Sequence, residues 1–263
     1  MKIVVCIKQV PDTNEVKLDP ITHKLIREGV PSIINHDDKS AIEAALRLKE
    51  AGKDITVTVV SMGPPQADVA LREALAMGCD EAVLLTAREF GGSDTFATAK
   101  IISAALKKMG YDLIITGRQA IDGDTAQVGP QIAETLGLPQ VSYVKEASIA
   151  GDTVTVKRAF EDRYHMIEIK MPCLLTALQE LGEPRYMHAR GIIEAYEKEV
   201  KILGFDDLKD SFDATAIGIE GSPTRVATSF GKMMKGAGVK HDNLSVDEAV
   251  EVIIKKMEER YII

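Results

Sequence analysis

Leu113-Ile114-Ile115-Thr116-Gly117-Arg118-Gln119-Ala120-Ile121-Asp122-Gly123-Asp124-Thr125-Ala126-Gln127-Val128-Gly129-Pro130, leading into the helix-like Ile132-Ala133-Glu134-Thr135-Leu136, decides the fold. An apolar run, a Gly/Asp-rich turn and a helix start make a unit in which backbone N–H groups and the helix dipole hold a phosphate. The stretch spells neither GxxxxGK[ST] nor GxGxxG, so it is neither a P-loop nor the standard dinucleotide fingerprint. Its small residues allow close approach to the backbone, and Pro130 interrupts helix bonding because it lacks an N–H. The plainer reading is a βα turn capped at Asp124 or Thr125.

Working outward, Ile3 to Ile7, Ile55 to Val60 and Ala82 to Leu85 have the same continuous apolar character as Leu113 to Ile115. That is expected of strands buried on both faces of a parallel sheet. Helical patterns lie between them. Ile42, Ala45, Leu46 and Lys49 mark the first, with Ser40 and Glu43 spaced as a capping box. Leu71, Ala74 and Leu75 mark a second that ends on Gly78, and Ala99, Ile102, Leu106 and Met109 a third that ends on Gly110. Regular alternation of this kind predicts right-handed crossovers and helices on both faces.

From Gln140 to Thr176 the pattern changes. Gly151-Asp152 separates Ala147-Ser148-Ile149 from Thr153-Val154-Thr155-Val156, which predicts a hairpin. Strands over Met166 to Ile169 and Cys173 to Thr176 follow, with Pro172 at a strand start. Beyond about Gln179, Gly204 to Lys240 lacks sustained periodicity. Ser245 and Glu248 then form a capping box, and Val246, Ala249, Val250, Ile253, Ile254, Met257 and Tyr261 an apolar stripe. A tail with so little core of its own is expected to wrap a partner, the alternative being a helix lying on its own domain. The fold class is thus α/β: a parallel-sheet, Rossmann-like domain with a short β-hairpin extension and an extended C-terminal arm ending in an amphipathic helix.

Length and composition fit this. With 263 residues, 45% of them hydrophobic, the chain can fill a sizeable core. A formal net charge of −8 argues against a nucleic-acid surface. No run approaches the roughly 20 apolar residues of a membrane span, and Met1-Lys2 leads directly into a strand without a signal peptide. Cys6, Cys79 and Cys173 show no paired spacing, and a cytoplasmic setting with reduced thiols is expected. His23, His36, His165, His188 and His241 form no ligand cluster or catalytic constellation, so no catalytic residue and no metal site is expected. His36 and Asp37 read as a loop after Asn35, on the surface or near the ligand.

Four segments, taken in order, carry a resemblance. They are Lys2-Ile3-Val4-Val5-Cys6-Ile7-Lys8-Gln9-Val10-Pro11-Asp12-Thr13; Gly63-Pro64-Pro65-Gln66 followed by Leu71 to Gly78; Gly117 to Gly129; and Glu183-Pro184-Arg185-Tyr186. With them the chain resembles, over nearly its full length, the β subunits of electron transfer flavoproteins. The family's signature before the docking segment is matched by Val156-Lys157-Arg158, Glu161-Asp162 and Met171 to Thr176, whereas Arg163-Tyr164-His165 replaces small and acidic residues usual there.

The resemblance implies an adenine-nucleotide-alpha-hydrolase-like domain over 1–180, and a docking loop and arm wrapping an α subunit over 181–263. It places an adenine nucleotide on Thr116, Gly117, Asp122, Gly123, Asp124, Thr125, Ala126, Gln127, Val128 and Gly129, facing strand ends at Ile7, Lys8, Gln9 and Val10 and at Ser61, Met62 and Gly63. The family has two kinds, one holding structural AMP and one holding FAD that takes hydride from NADH and bifurcates electrons. Gly123 to Pro130 is spelled like the second kind. Gly91, Gly92, Ser93, Asp94 and Thr95 are similar to its NADH- or flavin-facing turn, with a plain N-cap as the other reading. The implied partners are the α subunit with its own FAD, ferredoxin, and a flavin dehydrogenase of acyl-CoA dehydrogenase type or related. Docking is implied at Tyr186, Met187, His188, Ala189, Arg190, Ile192 and Ile193, where Ala189 replaces the usual leucine anchor. A stand-alone adenine-nucleotide-binding protein is the reading from another class.

Overall fold

The computed structural model describes residues 1–12, 31–52, 54–227, 236 and 238–263. Thr13 and His23, named above, lie outside these. The described residues up to Ala227 form one compact unit, and those from 236 onward belong to a second.

The chain opens with β1 (Lys2–Ile7), β2 (Gln9–Pro11) and β3 (Ser32–Ile34), then α1 (His36–Ala51), β4 (Thr56–Met62), α2 (Asp68–Met77) and β5 (Glu81–Leu85). Next come α3 (Thr95–Met109), β6 (Leu113–Gly117), α4 (Val128–Leu136), β7 (Gln140–Ala150), β8 (Thr153–Ala159), β9 (Tyr164–Lys170) and β10 (Cys173–Ala177). The first unit ends with α5 (Ala189–Glu197), β11 (Val200–Leu203) and α6 (Phe205–Leu208). A nine-stranded sheet runs β11-β5-β4-β1-β6-β10-β7-β8-β9. Its pairs are parallel from β11 to β7, and β7-β8 and β8-β9 are antiparallel, which is the hairpin extension.

Alternation along β1 shows why its run is continuously apolar. Ile3, Val5 and Ile7 enter the core under α1 and α2, while Val4 and Cys6 enter the core under α3 and α4. Burial on both faces leaves no position for a polar residue. The chain leaves β1 in one direction, through β4 to β5, then crosses back to place β6 on the other side of β1. That reversal opens a crevice beyond the C-terminal ends of β1 and β6, where ligands of open α/β sheets bind.

Three expectations need correction. The first helix does not start at a Ser40–Glu43 capping box: it starts at His36 after Asn35, and both Ser40 and Glu43 are buried within it. Glu43 is held there by Arg47 and Arg185 rather than by a helix N-terminus. His36 and Asp37 are likewise helix residues, not a loop, and Asp37 is buried. Past residue 180 the chain is still packed: β11 extends the sheet beside β5, and Leu203, Leu208 and Ile217 join the core.

In the second unit, α7 (Val246–Glu258) has its capping box, with Ser245 Oγ accepting from Glu248 N and the Glu248 carboxylate accepting from Ser245 N. None of its residues is buried, and Ile253 is 58% exposed. No helix among the described residues is long and apolar enough to cross a membrane.

Candidate functional site

At the crevice lies a cleft of about 980 Å³. One wall is Ile7 to Pro11, continued by Met62 to Ala67; the other is Thr116 to Ala120 with Asp122 to Gly129; Phe90 to Thr95 closes a third side. The structure thus brings together every expected cofactor and NADH position except Ser61. Ser61 is 1% exposed within β4, and its hydroxyl does not reach the cleft.

The loop after β6 is shaped for an anion. Asp124 and Ala126 stand at φ +52° and +53°, in the left-handed region. Each costs about 1 kcal/mol or more, and such strain persists where the surroundings impose it, commonly at ligand sites. Turns of this kind aim successive N–H groups to one side. The N–H groups of Thr125, Ala126, Gln127 and Val128 have no acceptor among the described residues. Helix α4 follows immediately, with Gln127 at its N-cap and no side-chain cap there. The positive end of the helix therefore faces the cleft uncapped. Capping by Asp124 or Thr125 is not found.

Close packing explains the glycines. A Cβ on Gly129 would lie 2.6 Å from Thr116 Oγ1 and 2.9 Å from Thr176 Cγ2 on the sheet. A Cβ on Gly117 would lie 2.1 Å from Asp38 Oδ1.

The carboxylates that would repel a phosphate are occupied. Lys8 Nζ donates to both oxygens of Asp122 at 2.6 and 2.7 Å, joining two walls, and Gln119 Nε2 donates to Asp124. Gln127 Oε1 accepts from Thr95 Oγ1 at 3.0 Å and links the loop to the third wall. Asp94 is the N-cap of α3, accepting from Ala97 N. It also accepts from the N–H and hydroxyl of Thr224, and its own N–H donates to Ser222 Oγ. Burial alone would raise the Asp94 pKa, but these donors outweigh it and hold the carboxyl below its ordinary value. Sequence reading gave the N-cap and missed the brace from 218–224, which comes from 130 residues away.

Asn35 and Asp38, also missed, lie beneath the cleft. Asp38 accepts from the N–H groups of Lys8 and Gly117, while burial pushes its pKa up to about 7 against the opposing effect of those donors. Asn35 Nδ2 donates to Gln119 O, and Asn35 Oδ1 accepts from Ile121 N. An Asn and an Asp three apart after Ile33-Ile34 were the available signal. Beside them Asp37 Oδ2 faces Arg118 Nε at 3.3 Å in an ion pair not aligned as a hydrogen bond. Burial raises the Asp37 pKa, and the Arg118 charge opposes it. Cys6, at the cleft floor, has its thiol pushed up to about 12 by burial and is not a reactive thiolate.

The expected docking residues are away from the cleft. His188 is the N-cap of α5, which starts at Ala189. Arg72 Nη1 fixes its last turn by donating to Ala195 O at 2.8 Å. Tyr186, Met187, His188, Ala189, Arg190, Ile192 and Ile193 are all exposed, Tyr186 at 95% and Ile193 at 65%, so Ile192 and Ile193 do not face the chain's own core.

A doubly covered, mostly parallel sheet with an uncapped helix start and a large cleft at its switch point defines a Rossmann-like α/β protein with a cleft suited to an anion. The electron transfer flavoprotein domain model matches residues 22–208. The chain is 56% identical over 262 residues to the electron transfer flavoprotein subunit beta of Clostridium acetobutylicum, covering 100% of both chains. It is 50% identical to the caffeyl-CoA reductase-Etf complex subunit CarD of Acetobacterium woodii and 50% identical to the acryloyl-CoA reductase electron transfer subunit gamma of Anaerotignum propionicum, again over 100% of each chain. The chain belongs to the electron transfer flavoprotein family, on its β-subunit side.

Proposed function

We propose that this chain is the nucleotide-carrying half of a heterodimer with an electron transfer flavoprotein α subunit, that its cleft holds FAD, and that NADH is the electron donor. The observation that carries the reading is the row of N–H groups from Thr125 to Val128 at an uncapped helix start, opening onto about 980 Å³. That volume lies at the upper end of the range for small-molecule sites. The residues present fit such a group: amides for the phosphates, Gly123 and Ala126 for close backbone approach, and Lys8 as a nearby cation.

When bound, a flavin supplies hydride acceptance and release of electrons one at a time. The chain's own part is to hold and orient. Thr125 to Val128 fix the phosphate end, and the Ile7–Pro11 and Met62–Ala67 walls shield one flank. Gly91 to Thr95, held by Ser222 and Thr224, form the side along which NADH would approach. No side chain acts as nucleophile or general base.

The proposed setting is cytoplasmic, consistent with three free, buried cysteines. The proposed acceptors are ferredoxin and, beyond the α-subunit FAD, a flavin dehydrogenase of acyl-CoA dehydrogenase type or related; two relatives named for acyl-CoA reductases support this. Tyr186 to Ile193 would meet that dehydrogenase, with Met187, Ile192 or Ile193 standing in for a leucine anchor. The arm carrying α7, with its apolar stripe uncovered, would wrap the α subunit.

Counting nucleotides released from the co-expressed heterodimer tests the reading. Two FAD and no AMP are expected. One FAD with one AMP would make the site structural and remove the NADH and ferredoxin assignments.

A further inference from the structure

The sheet opens where Asp38 sits. The last β1–β6 register pair is Cys6 with Thr116, so the N–H groups of Lys8 and Gly117 lie just past the paired region. Asp38 Oδ2 accepts from Lys8 N at 2.8 Å and Oδ1 accepts from Gly117 N at 3.0 Å. Asn35 extends the same contact. Its Nδ2 donates to Gln119 O at 2.8 Å, its Oδ1 accepts from Ile121 N at 3.1 Å, and its backbone N–H donates to Lys8 O at 2.9 Å. Both residues are almost fully buried, Asn35 at 0% and Asp38 at 6% exposure. The start of α1 therefore joins the end of β1 to the first turn of the loop after β6, through groups that no longer have sheet partners.

We propose that Asn35 and Asp38 are positioning residues that set the width of the cleft floor and pre-form the Gly117–Ile121 turn before a nucleotide arrives. The inference rests on the reading of the cleft as a nucleotide site. A carboxylate accepts from two separate donors at once, one per oxygen, and an amide cannot. The residue facing it must also be glycine, since any Cβ on Gly117 would occupy the Asp38 oxygen. A site formed in advance binds with less ordering cost than one assembled around its ligand. Asp38 acts through the two amides, so its role differs from that of the loop N–H groups that meet the phosphate.

Asp38→Asn tests this in the heterodimer with its α subunit. The substitution turns an NH2 group against one of the two backbone donors and releases that wall. Nucleotide-stripped wild-type and variant complexes are titrated with FAD and, separately, with AMP. The variant is expected to bind the wild-type's nucleotide at least tenfold more weakly. Glu43→Gln is the control: Glu43 is an equally buried carboxylate on the same helix, but it faces Arg47 and Arg185. Its loss is expected to lower stability and leave the nucleotide Kd unchanged. An Asp38→Asn complex with wild-type Kd, or a Glu43→Gln complex weakened equally, overturns the positioning role. Should Asp38→Asn fail to fold, amide exchange on the stripped wild-type complex decides. Lys8, Gly117 and Ile121 are expected to be protected already and unchanged by nucleotide, while Thr125 to Val128 gain protection. Exchange at Gly117 and Ile121 that slows only after nucleotide is added refutes pre-formation. A wild-type complex that neither contains nor binds FAD or AMP removes the nucleotide reading itself, before any variant is made.

Discussion

Gly129→Ala sets two effects of known sign against each other. In an exposed helix interior the change gains up to about 1 kcal/mol in helix propensity. Here the added Cβ would lie 2.6 Å from Thr116 Oγ1 and 2.9 Å from Thr176 Cγ2, well inside ordinary contact. Neither neighbour turns aside without loss. Thr116 Oγ1 donates to Gly117 O at 2.9 Å, and Thr176 Oγ1 accepts from Tyr143 N at 3.1 Å. Relief therefore requires α4 to lift off the sheet by several tenths of an ångström. Overpacking of this kind costs about 1–3 kcal/mol. The propensity gain is small because Gly129 is only the second residue of α4, so the net expectation is a loss of about 1–2 kcal/mol. Because Thr125 to Val128 move with the helix start, nucleotide affinity should fall as well. Urea denaturation followed by far-UV circular dichroism, with a parallel FAD titration of the heterodimer, measures both. A variant as stable as wild type, or more stable, would show that α4 is not seated as tightly as its glycine implies and would refute the argument.

Other outcomes follow from single contacts. The Asp38 carboxyl, at about 7 when folded against an ordinary 3.8, keeps a proton that the unfolded chain has released across that window. It therefore makes stability fall as pH rises from about 4 to 7, and Asp38→Asn should flatten that part of a stability-pH profile. Glu43 acts in the opposite sense: burial would raise its pKa, but Arg185 and Arg47 lower it, so its contribution is lost as pH falls through its depressed value. Asp122→Asn should change stability by less than about 1 kcal/mol in denaturant melts, because the Lys8 ammonium it pairs with is half exposed. Ile253→Asp on the exposed stripe of α7 should abolish co-purification with the α subunit; normal heterodimer recovery would count against the wrapping arm.

Much of the framework was legible because burial on both faces writes itself as unbroken apolar runs. β1, β4, β5 and β6 were located within a residue or two of their ends, and Gly78 and Gly110 marked the ends of α2 and α3. β11 escaped because an edge strand of four residues buries only Leu203 and is preceded by Glu197, Lys198 and Glu199. The start of α1 was misplaced for a related reason. Ser40 and Glu43 have capping-box spacing, but both are buried inside the helix and the Glu43 carboxylate is met by distant Arg185, which no local window contains. In the site, the loop from Gly117 to Pro130 announced itself through small residues around a helix start. Asn35 and Asp38 did not, because a carboxylate becomes buried only when Lys8 and Gly117 supply its donors, and Gly117 is 79 residues away.

The brace of Asp94 by Ser222 and Thr224 has a consequence for how the chain is divided. The segment matched by the family's domain model, 22–208, contains neither β1, the strand at the middle of the parallel sheet, nor the residues that steady the third wall of the cleft. A fragment trimmed to those bounds would remove the strand that lies between β4 and β6 and leave Gly91 to Asp94 without the support of Ser222 and Thr224. The bounds of the domain model and the bounds of the compact unit that holds the cleft therefore differ. Protein engineers wishing to graft the cleft onto another carrier should cut after Ala227, keeping Met1, rather than at the bounds of the domain model.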